Sequence, residues 1–171
     1  QNFGYPVFNA DIEVGKLYKN DKKIFNKLKK ILPEYIHTCP IKKGEISNAI
    51  LANKSNLKKI IKIVHLEVRK KMNKFLKKYK SKKIVILDIP LLLENKINKK
   101  KDILVFVQSK QIDIVKKLKK RKNFNQKLLK KFKDIQYPIS YKKKKSNFII
   151  KNNFKKKTVN DGIKDILKEI A

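Results

Sequence analysis

With 171 residues the chain is long enough for one domain with a small appended lid and a sizeable core. Lys and Arg number 47 against 14 Asp and Glu, a net charge of +33 over a 41% hydrophobic composition: a globular chain with a very ionic surface. A single cysteine, Cys39, excludes an internal disulfide and a Cys-x-x-Cys zinc site, and no apolar run reaches the roughly 18 residues of a membrane-spanning helix.

Two readings of the charge stay open. It is the electrostatic footprint of a basic nucleic-acid-binding protein, or it is AT-rich codon usage filling tolerant surface positions with lysine. Sequence-specific nucleic-acid sites favour arginine, which pairs bidentately and stacks. Here the only arginines are Arg69 and Arg121. Either way, non-specific polyanion affinity follows. His37 and Cys39 lack further partners for a metal. The opening QNFGYPVFNAD has no basic-then-apolar signal pattern, which predicts a cytoplasmic protein, and it starts on Gln rather than Met.

In chain order, Tyr5–Asn9 reads as a strand ending at Asn9-Ala10-Asp11. Val14, Leu17, Ile24, Phe25, Leu28, Ile31 and Leu32 recur at helical spacing from Ile12 to Leu32, with a break predicted at Asn20-Asp21. Pro33, Pro40 and Gly44 predict loops, Ser47–Asn53 a short helix, and Asn56 the cap of a long helix over Leu57–Tyr79. The run IVILD (84–88) has branched residues without polar alternation, the pattern of a parallel strand buried on both faces. Ile103–Val107 repeats that pattern, and helices are predicted over Gln111–Lys120 and Asn125–Ile135. Asn147–Lys151 reads as the last strand and Val159–Ile170 as a closing helix. Strands alternating with helices predict an α/β fold with a parallel sheet.

Ligands of open parallel sheets bind at the carboxyl ends of strands. That rule selects Asn9-Ala10-Asp11, the segment from Asp88 to Glu94, and Asn152-Asn153. An apolar strand ending in Asp88 has the form of a Walker B element, whose carboxylate orients Mg²⁺ or its waters; a strand-end Asp also serves as a turn former or helix cap.

FGYPVFNADIEVGKLY (3–18), IVHLEV (63–68), ILDIPLLLEN (86–95), LVFV (104–107), Arg121, Gln136 and SNFIIKNN (146–153), taken in order, resemble dephospho-CoA kinase. That family of P-loop kinases phosphorylates the ribose 3′-hydroxyl of dephospho-coenzyme A, the last step of coenzyme A biosynthesis. The resemblance spans nearly the whole chain. It implies a P-loop NTPase-like three-layer α/β sandwich with a parallel sheet, a helical substrate-binding insertion and a helical lid. The single domain divides into a core of 1–12, 82–110 and 146–171, a helical part 13–81 and a lid 111–145. It also implies ATP and Mg²⁺ as cofactors, and dephospho-CoA and ATP as small-molecule partners. No membrane association is expected; nucleic acid would bind only non-specifically, and the protein would be a monomer or weak oligomer.

Residue by residue, Asp11 matches the second acidic position of the family's D-A-D and would be the base for the acceptor hydroxyl. The other reading of Asp11 is a helix N-cap. Asp88, Pro90, Leu91, Leu92 and Glu94 would line the acceptor pocket, with core packing the other reading of the leucines. His65 matches a substrate-domain histidine, or is a buried structural one. Arg121 and Lys117 match lid positions that neutralise triphosphate charge, Gln136 the lid glutamine, and Asn152 the asparagine near the nucleotide base. The last two could equally be caps.

The chain also departs from the pattern. Asn9 replaces the first aspartate of D-A-D, Leu66 replaces a proline after His65, and the helix following Gly44 is shortened. No G-x-x-x-x-G-K-[ST] phosphate loop occurs, and Gly15-Lys16 falls in a predicted helix. We therefore expect the first strand and phosphate loop, about two dozen residues, to be missing here, and the 171 residues alone to fold poorly and transfer no phosphate. Three alternatives stand beside this: the basic nucleic-acid binder, another P-loop nucleoside or nucleotide kinase, and a decayed inactive copy.

Overall fold

Strand β1 (Val7–Asn9) turns into helix α1 (Ala10–Asn20) without an intervening loop. The computed structural model describes residues 3–170, which fall into two compact units divided between Pro90 and Leu91.

In the first unit the break after Asn20 separates α1 from α2 (Lys22–Ile31), because Asp21 accepts a hydrogen bond from the Ile24 amide and caps the new helix. Helices α3 (Lys43–Ala52) and α4 (Lys54–Lys78) follow, then β2 (Ile86–Asp88). Leu57, Ile60, Val64, Val68 and Met72 recur every three or four residues and form the buried face of α4. They pack with Leu17, Ile24, Leu28, Ile36, Ala49 and Ile50 from α1 to α3 and the connecting loop. Phe8 of β1 joins the core, its ring 5.6 Å from that of Phe75 on α4. Strands β1 and β2 pair in parallel, with Val7 opposite Ile86 and Asn9 opposite Asp88.

The second unit holds β3 (Val105–Gln108), α5 (Gln111–Lys119), α6 (Gln126–Lys133), α7 (Ile139–Lys145), β4 (Phe148–Lys151) and α8 (Lys156–Ile170). β3 and β4 are parallel, Val105 opposite Phe148. α8 lies against β4, and a Cβ on Gly162 would stand 3.4 Å from Ile150 Cγ2. Ile150 is the one buried apolar residue among the described residues of this unit.

Several expectations are corrected. Asn53, not Asn56, caps α4; Asn56 lies inside the first turn, buried, its amide donating to the Ala49 carbonyl at 3.0 Å. Gly44 sits in α3 rather than in a loop, because Glu45 folds back to accept hydrogen bonds from the amides ahead of the helix and starts it early. The IVILD and Ile103–Val107 strands are not buried on both faces: Ile86 is 39% exposed and Val107 54%. Each pairs with a single strand, so neither is an inner strand of a wider sheet among the described residues. Helix α7 was not expected; its ISYKKKK sequence shows no amphipathic period.

Candidate active site

In the first unit, parallel pairing brings the carboxyl ends of β1 and β2 side by side, so Asn9 and Asp88 face each other across the ladder. The Asn9 side chain works at both ends. Its Oδ1 accepts from the Ile12 amide at 2.9 Å and caps α1, while its Nδ2 donates to Asp88 Oδ2 at 2.6 Å. With Asn9 as the cap, Asp11 is not one; it lies in the first turn of α1, where the helix dipole favours an anion. Its side chain reaches solvent, yet the surrounding protein removes part of its hydration. That desolvation, and secondarily the Asp88 carboxylate, raise the Asp11 pKa above the ordinary aspartate value. Two carboxylates and an amide thus meet where two strands end.

His65 lies half-buried in the middle of α4. The helix runs straight through His65-Leu66, since leucine keeps the backbone N–H that proline would remove, and Leu66 itself is 52% exposed. Glu13 of α1 bridges to Lys71 of α4 at 3.3 Å and ties the helix bearing Asp11 to the one bearing His65.

The second unit carries the other candidates. Pro90, exposed, ends the first unit; Leu91 and Leu92 open the second, both half-buried. Leu91 has φ 56°, a left-handed conformation that costs a bulky residue about 1–3 kcal/mol. Its carbonyl is held by the Asn95 amide at 3.0 Å and the Asn95 side chain at 2.8 Å, and the Ile97 amide donates to the Leu92 carbonyl at 3.1 Å. The result is a tight turn over 91–97.

Glu94 projects from this turn to the start of α7. Its Oε1 accepts from the Tyr137 amide and pairs with Lys142 Nζ, each at 2.8 Å, and Lys142 also donates to Gln136 Oε1 at 3.1 Å. Burial pushes the Glu94 pKa up, but these donors outweigh it and hold the carboxyl below its ordinary range. Gln136 and Glu94, far apart in sequence, are therefore joined through Lys142.

Lys117 of α5 lies 5.0 Å from the centre of the Phe154 ring. The two line a cavity of about 250 Å³ with Asp113, Lys116, Lys120 and Asn153. Asn152 shapes this rim: its amide donates to the Gln108 carbonyl at 2.7 Å, and its Oδ1 accepts from Phe154 N at 2.8 Å. Arg121 is exposed in the turn just past α5. Sequence reasoning missed Lys142, because one lysine in KKKK carries no signal, and Phe154, which follows the NN pair without a recognisable pattern.

A divalent cation is a reasonable fit at the carboxylates. Among the described residues no group of three or more His, Cys, Asp or Glu is placed to hold a metal ion. Mg²⁺ does not need one, since it is commonly bound by one or two carboxylates together with substrate phosphates.

One parallel strand pair ending beside carboxylates, and a second with a lysine-rimmed cavity beside the end of β4, make an α/β protein with its polar groups gathered at strand ends, consistent with a P-loop NTPase-like fold. The fold agrees with two solved structures. One is from Thermus thermophilus, with a TM-score of 0.77 and 22% identity, covering 99% of this chain and 87% of that one. The other is the dephospho-CoA kinase of Campylobacter jejuni, with a TM-score of 0.60 and 20% identity over the same shares. A family model described as dephospho-CoA kinase matches residues 1–158. The dephospho-CoA kinase of Wolbachia pipientis wMel is 35% identical over 169 residues, 98% of this chain and 86% of the relative. The chain belongs to the dephospho-CoA kinase family, and so to the phosphotransferases.

Proposed function

We propose that this kinase transfers the γ-phosphoryl group of ATP to the 3′-hydroxyl of dephospho-CoA, with Asp11 as the base. The observation that carries the residue assignment is Asp11, in the first turn of α1, beside an Asp88 that Asn9 holds at the strand ends, in a chain of this family. Asp11 accepts the hydroxyl proton as the new O–P bond forms and the bond to the ADP oxygen breaks. Its pKa, raised by desolvation and by the Asp88 carboxylate, moves it towards better proton acceptance. Asp88, the Walker B-like carboxylate at the end of β2, would orient Mg²⁺ or its waters, whose charge offsets that of the phosphates.

The acceptor role is assigned to Pro90 and His65 in the first unit and to Leu91, Leu92 and Glu94 in the second. Lys117, Arg121, Gln136 and Asn152 serve the nucleotide. Support for that part comes from the cavity, where Lys116, Lys117 and Lys120 supply charge for phosphates and Phe154 a face for a base. In this reading residues 111–145, carrying α5 to α7, are the lid, and the protein works in the cytoplasm as a monomer or weak oligomer. Nucleic acid binds only through bulk lysine charge.

The test is ATP-dependent phosphorylation of dephospho-CoA by the protein. Asp11→Asn should lower kcat by about 10²–10⁴-fold, the usual contribution of a positioned base. It should also melt at or slightly above the wild-type temperature at neutral pH, because the raised folded pKa means the ionised carboxylate opposes folding there. Full activity in this variant would refute the assignment.

A further inference from the structure

The Glu94–Lys142–Gln136 cluster has features that a surface ion pair lacks. The paired side chains are only 17% (Lys142) and 9% (Glu94) exposed, and both partners hold further groups. Glu94 takes the backbone amide of Tyr137, the residue directly after Gln136. Lys142 takes the Gln136 side-chain oxygen. The main chain and the side chain of one short segment are thus fixed by the two members of one ion pair. The pair is itself anchored at both ends. Glu94 rises from the hydrogen-bonded turn over 91–97, and Lys142 sits in α7, where its amide donates to the Pro138 carbonyl and its carbonyl accepts from Ser146 Oγ at 2.9 Å. The Tyr137 ring packs edge-on against Tyr141 at 5.0 Å and holds the same segment from the α7 side. With its Oε1 fixed to Lys142, Gln136 has its Nε2 donor end directed by that bond: the amide NH₂ group is the part left to meet a ligand.

We propose that Lys142 is a positioning residue for nucleotide binding, orienting the Gln136 carboxamide so that its NH₂ group faces an acceptor on the nucleotide. Glu94 makes this possible by neutralising the lysine and docking the Gln136–Tyr137 backbone. The inference rests on the nucleotide role proposed for Gln136. It adds a residue that the family resemblance does not single out.

A double-mutant cycle on the full gene product tests it, with the dissociation constant for ATP read by titration calorimetry and melting followed by circular dichroism. Lys142→Met and Gln136→Ala should each weaken ATP binding about tenfold, the loss of roughly one oriented hydrogen bond. The double variant should be no weaker than Gln136→Ala alone, because Lys142 acts through that side chain. Lys142→Arg, which keeps the charge and the donors, should bind within about twofold of wild type. If Lys142 only stabilises the fold, the losses will add in the double variant and follow the melting temperatures; that result, or unchanged binding in Lys142→Met, overturns the proposal. A wild-type protein that binds no ATP overturns the nucleotide role of Gln136 as well. Wild-type binding with additive losses overturns the positioning role alone.

Discussion

Asn9→Asp replaces one side-chain nitrogen by oxygen and converts a donor into a charge at the point where β1, β2 and α1 meet. The cap survives, since an aspartate oxygen can still accept from the Ile12 amide. What is lost is the bond from Nδ2 to Asp88 Oδ2 at 2.6 Å, a neutral donor on a charged acceptor. Such a bond contributes about 1.5–3 kcal/mol, and this one, partly open to solvent, belongs near the lower end. Two carboxylates forced together add repulsion of about 1 kcal/mol at 4 Å in water. The total, about 2–3 kcal/mol, corresponds to a fall in melting temperature of about 4–12 °C for a chain of this size. The sign with pH is fixed. Asp88 raises the pKa of the new carboxyl in the folded state, so the destabilisation is absent in acid and grows as pH rises through that raised value. Once protonated, the new Asp can donate to Asp88 as the amide does. Denaturant unfolding of the full gene product at about pH 7 and about pH 4 checks this. Equal stability of variant and wild type near neutrality, or a loss that persists in acid, would refute the reasoning.

Glu45 accepts hydrogen bonds from the His37, Thr38 and Lys42 amides and from Thr38 Oγ1, all between 2.8 and 2.9 Å, so Glu45→Ala should cost about 2–3 kcal/mol in urea unfolding. Burial raises the Glu45 pKa, but these donors outweigh it and the net shift is downward. Its contribution is therefore complete above the ordinary value of 4.5 and lost as pH falls through the lowered one, an acid-side decline that Glu45→Gln should lack. At Gly162, alanine removes the helix penalty of glycine and its Cβ meets Ile150 at 3.4 Å, ordinary contact; Gly162→Ala should stabilise by about 0.5–1 kcal/mol. Gly162→Leu should instead destabilise by about 1–3 kcal/mol through overpacking, and a gain with leucine would show that α8 does not lie as described.

Much of the fold was legible because local periodicity and caps carry it. The apolar spacing of α4, the Asn20-Asp21 break and the strand over Phe148–Lys151 follow from side chains and their near neighbours alone. Asn56 shows the limit: Asn53 and Asn56 are equally good caps by type, and the choice fell to Asn53 because Asn56 found a buried partner in Ala49 of a different helix. α7 was hidden because lysines dominate it, and its place is set by contacts such as Lys142 to Glu94, 48 positions away in sequence.

The sequence by itself determined the parallel α/β class, the family, and the two strand-end carboxylates, since ordered motifs and apolar runs are properties of chain order. Only the tertiary structure decided what those groups touch. Asn9, a lost charge when read along the chain, became the amide that holds Asp88, because parallel pairing sets residues 9 and 88 opposite each other. Glu94, read as one edge of an acceptor wall, turned out to be bonded to Lys142 and to the Tyr137 backbone. Hydrogen bonds reach only about 3 Å, so a partner distant in sequence is known only when folding has brought it there.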